Sequence, residues 1–161
     1  MTGTAMLRTQ SRRALPPRLS QWRVTLLLIA VSALTACAGY QAKAVDVESY
    51  RLRAIVQSQG AITVSAAVPD QGETEQLTGI DLYDQGIQPV WLEVKNEGEH
   101  PVRVALWSID KDYYSPIEVA YMNRGGLSNE GEADMQRWFY ENRMERVVPA
   151  GETRSGFVYT H

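Results

Sequence analysis

The fold is decided by residues 90–107, VWLEVKNEGEHPVRVALW. Apolar and polar side chains alternate over residues 90–95 and again over 102–107, on either side of a turn-forming segment at 96–101. A two-residue period is typical of strands that pack one face against a core and expose the other face to water. The pattern therefore predicts two antiparallel strands joined by a turn.

Further strand signals lie on both sides of this pair. The same alternation occurs over residues 50–56 and 62–68, and a short apolar run at 156–159 follows a Pro-Ala-Gly-Glu turn. Several short strands separated by turn residues are typical of an immunoglobulin-like β-sandwich. We therefore predict a mainly β domain of this class over residues 49–161, with one or two short helices between the strands.

Helix signals interrupt these strands. Asp70 and Glu73 have the spacing of a capping box, in which each side chain accepts a hydrogen bond from the backbone N–H of the other residue. Ser115 and Glu118 repeat this spacing, with a proline at the first helical position. Residues 132–143 place Met, Trp and Phe side chains along one helical face. Helices are therefore expected to begin after Asp70 and after Ser115, and a further helix is expected over 132–143.

The amino-terminal part has the composition of an export signal. A leader that contains five arginines and no acidic residue precedes an uncharged, mostly apolar run at residues 24–36. A helix of that length spans about 20 Å, short of the roughly 30 Å hydrocarbon core, so a permanent transmembrane helix is disfavoured. Residues 1–36 are therefore predicted to be a signal peptide.

The apolar run closes with Leu34, Thr35, Ala36 and Cys37. This sequence resembles the bacterial lipobox, in which an aliphatic residue and two small residues precede a cysteine that receives lipid. The resemblance implies cleavage before Cys37, which would then carry a diacylglyceryl thioether and an amide-linked acyl chain such as palmitate. Each buried methylene group contributes about 0.8 kcal/mol, so several acyl chains would hold the protein at a membrane.

The residues that follow Cys37 bear on location. Ala38 occupies the position at which an aspartate tends to retain a lipoprotein at the inner membrane. The resemblance therefore implies the periplasmic face of the outer membrane in a Gram-negative cell. Residues 37–48 include small and polar side chains without strong periodicity, which predicts a short tether.

The part of the chain after the predicted signal is acidic. Residues 37–161 contain eleven basic and nineteen acidic side chains, which give a formal net charge of −8. Such a charge repels nucleic-acid phosphates and anionic lipid headgroups, so nucleic acid is not expected as a partner. The expected partners are the membrane, through the lipid anchor, and another envelope protein.

Four stretches of the chain carry a family resemblance, residues 62–68, 77–94, 112–121 and 149–158, and the sequence Gly-Ile-Gln-Pro-Val-Trp at 86–91 is distinctive. They resemble the exported amino-terminal region of bacterial proteins that carry an LssY-type carboxy-terminal domain. The resemblance implies a cell-envelope protein and supplies no catalytic residues. The chain ends before such a domain could begin, so the activity of that domain is not expected.

No group of residues has the pattern of a catalytic or metal site. Cys37 is the only cysteine and is expected to be lipidated, and neither His100 nor His161 has neighbouring ligands in the sequence. The sequence contains no Gly-x-Ser-x-Gly motif and no phosphate-binding glycine loop. The protein is therefore predicted to be non-enzymatic, without cofactor or metal.

Two candidate sites remain. The first is a polar, irregular loop that is the best candidate for contact with a partner, and its residues are Asp81, Tyr83, Asp84 and Gln85. The second belongs to an alternative function, a ligand-binding receptor or enzyme with an acidic pocket near Asp81, Asp84, Asp110 and Asp112. Convergence of these four carboxylates in one concavity would favour the alternative.

Overall fold

A four-stranded antiparallel sheet forms the centre of the domain. The computed structural model describes residues 39–161, so the predicted signal peptide, the lipobox and Cys37 lie outside the described residues. The strands of the sheet are β1 (Ile55–Gln59), β2 (Ile62–Ala67), β3 (Gln88–Asn96) and β6 (Thr153–Thr160). Their spatial order is β1-β2-β3-β6.

Helices and a smaller ladder surround the sheet. The α-helices within the described residues are α1 (Val47–Arg53), α2 (Gln71–Thr78), α3 (Leu106–Ile109), α4 (Pro116–Met122) and α5 (Asn129–Glu141). The ladder pairs β4 (Val102–Arg103) with β5 (Val147–Val148). A 3-10 turn at Tyr83–Gln85 precedes β3. None of the described helices is long and apolar enough to span a membrane.

The strand β3 is packed on both of its faces. Successive side chains of a strand point to opposite faces, so Trp91 and Leu92 lie on different sides of the sheet. Both side chains are buried, and each belongs to a separate apolar cluster. The solvated face predicted for this strand is therefore present only toward its end, where Lys95 is exposed.

Two buried clusters lie on the two faces of the sheet. The first packs the sheet against α1, α2, α4 and α5 and consists of Tyr50, Ala67, Leu77, Leu82, Ile87, Trp91, Val119, Ala120, Met135, Phe139, Phe157 and Tyr159. The second packs the other face against α3 and the β4–β5 ladder and consists of Leu92, Val94, Leu106, Met144, Val148 and Val158. Both clusters lie within the compact unit Cys37–His161, which therefore contains its own core and is expected to fold on its own.

The predicted helix starts are confirmed at α2 and α4. Asp70 Oδ1 accepts a hydrogen bond from Glu73 N at 2.8 Å, and Glu73 Oε2 accepts one from Asp70 N at 2.9 Å. Ser115 and Glu118 form the same reciprocal pair, at 3.2 and 2.7 Å. Helix α5 presents the predicted apolar face and begins earlier than predicted, at Asn129.

Two predicted strands are wrong in part. Residues 50–53 belong to α1, which Asp46 caps by accepting a hydrogen bond from Ser49 N at 3.3 Å. The helix has an acidic residue in its first turn and two arginines in its last turn, and these charges interact favourably with the helix dipole. They favour the helix over the strand that the weak alternation of apolar and polar residues had predicted. Strand β4 stops at Arg103, because the chain then turns into α3 and buries Leu106 in the second cluster.

The prediction of a strand-rich domain with antiparallel strands is confirmed. The described residues form a mixed α/β domain that is rich in strands, and its main sheet is antiparallel as predicted. Apart from the main sheet, the described residues form one two-stranded ladder, β4 with β5, of two residues in each strand. Five α-helices occur within residues 39–161, instead of the one or two that the sequence predicted.

The described part of the predicted tether packs against the domain. Lys43 N donates to Leu77 O at 2.9 Å, and Trp138 Nε1 donates to Lys43 O at 3.2 Å. Tyr40 packs on the first cluster, and its ring centroid lies 6.5 Å from that of Phe139. Hydrogen bonds and apolar contacts thus make this segment part of the folded unit.

Candidate functional site

An open groove of about 540 Å³ lies beside the outer edge of β6. Its walls are the start of α4, the end of α5 and the segment 143–147, which leads from α5 into β5. The apolar part of its lining is formed by Leu106, Ile117, Met144, Val147, Phe157 and Val158. Small-molecule sites typically have volumes of about 300–1,000 Å³, so the groove has the size of such a site.

Main-chain hydrogen bonds attach two segments that flank the groove to β6, the one that follows α5 and the one that precedes α4. Phe157 N donates to Asn142 O at 2.8 Å, and Met144 N donates to Phe157 O at 2.9 Å. On the other side, Tyr114 N donates to Tyr159 O at 2.8 Å. The chain itself therefore covers the edge of β6 at these residues.

Gly156 sets the distance between β6 and the wall that follows α5. A Cβ atom at this residue would overlap the carbonyl group of Arg143 and lie 2.6 Å from Met144 N. Only glycine therefore lets the two main chains approach this closely. Because Met144, Phe157 and Val158 all line the groove, the glycine also determines the shape of its floor.

Two pairs of tyrosine and arginine lie at the groove. Arg143 places its guanidinium carbon 3.6 Å from the centroid of the Tyr140 ring and donates a hydrogen bond to the Tyr140 carbonyl. Arg146 Nη2 donates to the Tyr113 hydroxyl at 3.1 Å. All four residues line the groove. Among the residues that the structure describes, neither arginine has a carboxylate within ion-pair distance.

Apolar side chains at the groove are exposed to water. The exposed fraction is 54% for Ile117, 51% for Tyr140 and 44% for Val147. Single exposed apolar residues are ordinary on a protein surface, but several around one concave site indicate a binding surface. The groove therefore combines exposed apolar area with two guanidinium groups.

The structure places the predicted contact loop outside the groove. Asp81 Oδ2 accepts a hydrogen bond from Gln71 Nε2 at 2.7 Å, and Asp81 Oδ1 accepts one from Asp84 N at 3.1 Å. The Tyr83 hydroxyl donates to Pro69 O at 2.6 Å. The polar groups of this loop thus form hydrogen bonds within the chain, and two of these bonds connect the loop to residues at the start of α2.

The other predicted site residues are also hydrogen-bonded within the chain. Gln85 Nε2 donates to Asn123 Oδ1. Asp110 accepts from His161 N at 2.8 Å and from Asp112 N at 2.9 Å, and these bonds hold the pKa of Asp110 below its usual value. None of the four aspartates of the alternative site lines the groove. Within residues 39–161, no three His, Cys, Asp or Glu side chains are grouped so that they could hold a metal ion.

Sequence reasoning missed Arg143 and Arg146. Neither arginine belongs to a motif, and their position beside β6 depends on contacts between distant parts of the chain. The one local signal is the three-residue spacing of Tyr140 and Arg143 at the end of a helix, which favours contact between the two side chains. Tyr121 and Arg124 have the same spacing and lie outside the groove, so the signal alone could not have located the site.

The fold and the groove define a mixed α/β domain with an apolar site beside the edge strand β6. Comparisons with protein-family models, with curated proteins and with solved structures find no match to this chain. The function is therefore inferred from the geometry of the groove and from the sequence.

Proposed function

We propose that this protein is a lipid-anchored component of the bacterial cell envelope whose domain binds a ligand and catalyses no reaction. The observation that supports binding is the groove beside β6, whose lining includes exposed apolar side chains and two arginines. The acidic loops are less suited to this role, because Asp81 and Asp110 accept hydrogen bonds from groups of the chain itself. The groove is thus the proposed binding site.

The proposed anchor at Cys37 would hold the domain close to the bilayer. Consecutive Cα atoms are about 3.8 Å apart, so the three steps from Cys37 to Tyr40 span at most about 11 Å. Tyr40 packs on the first cluster, and Lys43 is hydrogen-bonded to α2 and α5. The acyl chains, rather than the acidic surface, would provide the contact with the membrane.

Replacing Cys37 with serine in the full chain tests the anchor. In the bacterial host, the unchanged chain is expected to incorporate labelled palmitate and to fractionate with the outer membrane, whereas Cys37→Ser loses both properties. Thr35→Ala keeps a small residue in the lipobox and serves as the control, with labelling retained. Membrane retention of an unlabelled Cys37→Ser chain would contradict the anchor.

An uncharged amphiphile tests the groove. The unit Cys37–His161, carrying Cys37→Ser, is titrated with 1-decanol by calorimetry, and saturable binding is expected. Ile117→Asp places a charge on the apolar wall and should weaken binding at least about tenfold, since burial of an unpaired charge is unfavourable. Ile109→Asp is the control, because Ile109 is 45% exposed and does not line the groove. Absent binding, or an equal loss in both variants, would refute the groove as the site.

Two finer relationships are also proposed. The sequence resemblance supports kinship with the exported region of proteins that carry an LssY-type carboxy-terminal domain. The β4–β5 ladder and the main sheet lie on opposite sides of the second cluster, as the two sheets of a sandwich do. This arrangement supports the proposal that the domain is related to the immunoglobulin-like sandwich. An experimental structure of such an exported region tests both, since the strand order β1-β2-β3-β6 is expected there and a different order would contradict them.

A further inference from the structure

We propose that the groove binds a small amphiphile with one anionic head group. The apolar chain of the ligand lies against the exposed side chains of Ile117 and Val147, and its head group is bound by Arg143 and Arg146. This proposal rests on the proposed function, because it assigns a class of ligand to the same groove.

Two arginines at the groove of this acidic domain pair with no carboxylate among the described residues. Residues 37–161 contain nineteen acidic side chains against eleven basic ones, and several arginines pair with a carboxylate, as Arg51 Nη2 does with Glu93 at 2.6 Å. Arg143 and Arg146 instead interact with tyrosines and have no carboxylate at ion-pair distance among the described residues. Positive charge at the groove is therefore left for a ligand.

Among the described residues that line the groove, one is acidic, and it does not neutralise these arginines. Glu145 lines the groove, but its carboxylate pairs with Arg154 Nε at 3.3 Å. A guanidinium carries five N–H donors in a planar fork, which matches the two oxygens of a carboxylate. Arg143 uses one nitrogen on the Tyr140 carbonyl and Arg146 uses one on a tyrosine hydroxyl, so both retain donors for an anion.

The floor and the walls suit an apolar chain. Met144, Phe157 and Val158 lie in the buried clusters and also line the groove, while Ile117 and Val147 are exposed at its walls. A methylene chain laid against Ile117 and Val147 removes apolar surface of the protein and of the ligand from water. The ligand therefore needs an apolar body and one charged end.

An extended peptide fits this groove less well than a small amphiphile. Every peptide residue brings an N–H and a C=O group that need partners when buried. On β6, Phe157 N and O are bonded to Asn142 and Met144, and Tyr159 O accepts from Tyr114. Strand addition is thus blocked at these residues, whereas a ligand with a single polar end leaves no main-chain groups unpaired.

Decanoate and 1-decanol are the probes, because they share a chain length and differ in the charge of the head group. Both are titrated at neutral pH, below micelle formation, into the unit Cys37–His161 with Cys37→Ser. Decanoate is expected to bind at least about tenfold more tightly than decanol, because its carboxylate can form charge-assisted hydrogen bonds with the arginines. Arg143→Gln and Arg146→Gln are each expected to remove most of this preference while decanol binding changes by less than about twofold.

Arg124→Gln is the matched control. Arg124 places its guanidinium carbon 3.4 Å from the centroid of the Tyr121 ring and donates to the Tyr121 carbonyl, as Arg143 does with Tyr140. Neither Arg124 nor Tyr121 lines the groove. This variant is therefore expected to bind decanoate as the unchanged domain does.

The possible outcomes separate this inference from the proposed function. Equal affinities for decanoate and decanol, or equal effects of Arg124→Gln and the two groove variants, would overturn the anionic head group and leave the groove as a binding site. Tighter binding of an extended apolar peptide with an amidated carboxyl terminus would also overturn it. No saturable binding of either probe would overturn both proposals. Far-UV circular dichroism of each variant excludes unfolding as the cause of a loss.

Discussion

Substituting Gly156 with alanine is expected to destabilise the protein strongly, although the change adds only a methyl group. The new Cβ would overlap the carbonyl group of Arg143 and lie 2.6 Å from Met144 N, and both neighbours are main-chain groups. A flexible side chain could rotate away from the methyl group, but a main chain can move only as a segment. The wall formed by residues 142–144 must therefore shift away from β6.

The cost follows from the contacts that this shift breaks. The wall is held by the hydrogen bonds from Phe157 N to Asn142 O and from Met144 N to Phe157 O, and each contributes about 1 kcal/mol. Strain from an extra methyl group in a packed interior adds about 1–3 kcal/mol. The free energy of unfolding should therefore fall by about 3–5 kcal/mol, a large part of the roughly 5–15 kcal/mol typical of a domain.

Urea denaturation of the unit Cys37–His161 with Cys37→Ser, followed by tryptophan fluorescence, measures this change. With a slope of about 1–3 kcal/mol per molar urea, such a loss lowers the midpoint by at least about 1 M. Gly72→Ala in α2 is the control, since its Cβ meets Asp70 Oδ1 at an ordinary 3.5 Å and alanine favours a helix. A shift for Gly156→Ala no larger than for Gly72→Ala would refute close main-chain approach as the feature that holds the wall.

Three further predictions concern the stability of the same unit in urea. Asn96→Ala should lower the free energy of unfolding by about 2–4 kcal/mol, because the buried side-chain amide is hydrogen-bonded to four main-chain groups. These groups are His100 O, Val148 O, Pro149 O and Gly98 N. Asn129→Ala, at an exposed residue, is the control, and an equal loss of stability in both variants would contradict the prediction. The backbone N–H of Ser115 holds the pKa of Glu118 below its usual value of 4.5 in the folded protein, so the unfolded chain takes up the proton first. The stability that this carboxylate provides is therefore present above pH 4.5 and is lost as the pH falls through the pKa of the folded protein. The urea midpoint of Glu118→Gln should consequently fall less on acidification than that of the unchanged chain. An identical fall in both proteins would count against the capping box. Trp138→Phe should cost about 0.5–1 kcal/mol by removing the hydrogen bond to Lys43 O, and an unchanged midpoint would show that this bond does not fasten the segment.

Features that depend on neighbouring residues were predictable from the sequence. The capping boxes that begin at Asp70 and Ser115 need only a three-residue spacing, and the structure forms both. The alternation over residues 90–95 placed Leu92 and Val94 on one face of a strand, where the second cluster buries them. Local spacing and local hydrogen bonds therefore carried the correct part of the prediction.

Features that depend on distant contacts were not predictable in this way. Strand β4 is short because Leu106 packs into a cluster assembled from four other parts of the chain. The groove exists because α4, α5 and the segment 143–147 meet at β6, and Gly156 permits that approach. No periodicity marks Arg143 or Arg146, whereas the conspicuous aspartates are bonded to the chain itself.

Under the two proposals, the membrane would be the source of the ligand. Tyr40, which is at most about 11 Å from Cys37, packs on Phe139 of α5, and the next residue, Tyr140, lies at the groove. One helix therefore connects the segment that follows the proposed anchor with the proposed binding site. Because the acidic domain repels anionic head groups over most of its surface, the two arginines supply the local positive charge that an anionic amphiphile from the bilayer would need.

This connection makes the distance between the anchor and the domain testable. Inserting about ten Gly-Ser residues after Ala38 in the lipidated protein gives a flexible linker with a root-mean-square length of roughly 15–20 Å and so lets the domain move away from the bilayer. Transfer of decanoate from vesicles to the protein should then become slower, since the groove spends less time at the lipid surface. The affinity for decanoate in solution should stay unchanged, because the linker does not touch the groove. Equal transfer rates with and without the linker would show that the short anchor plays no part in loading the site.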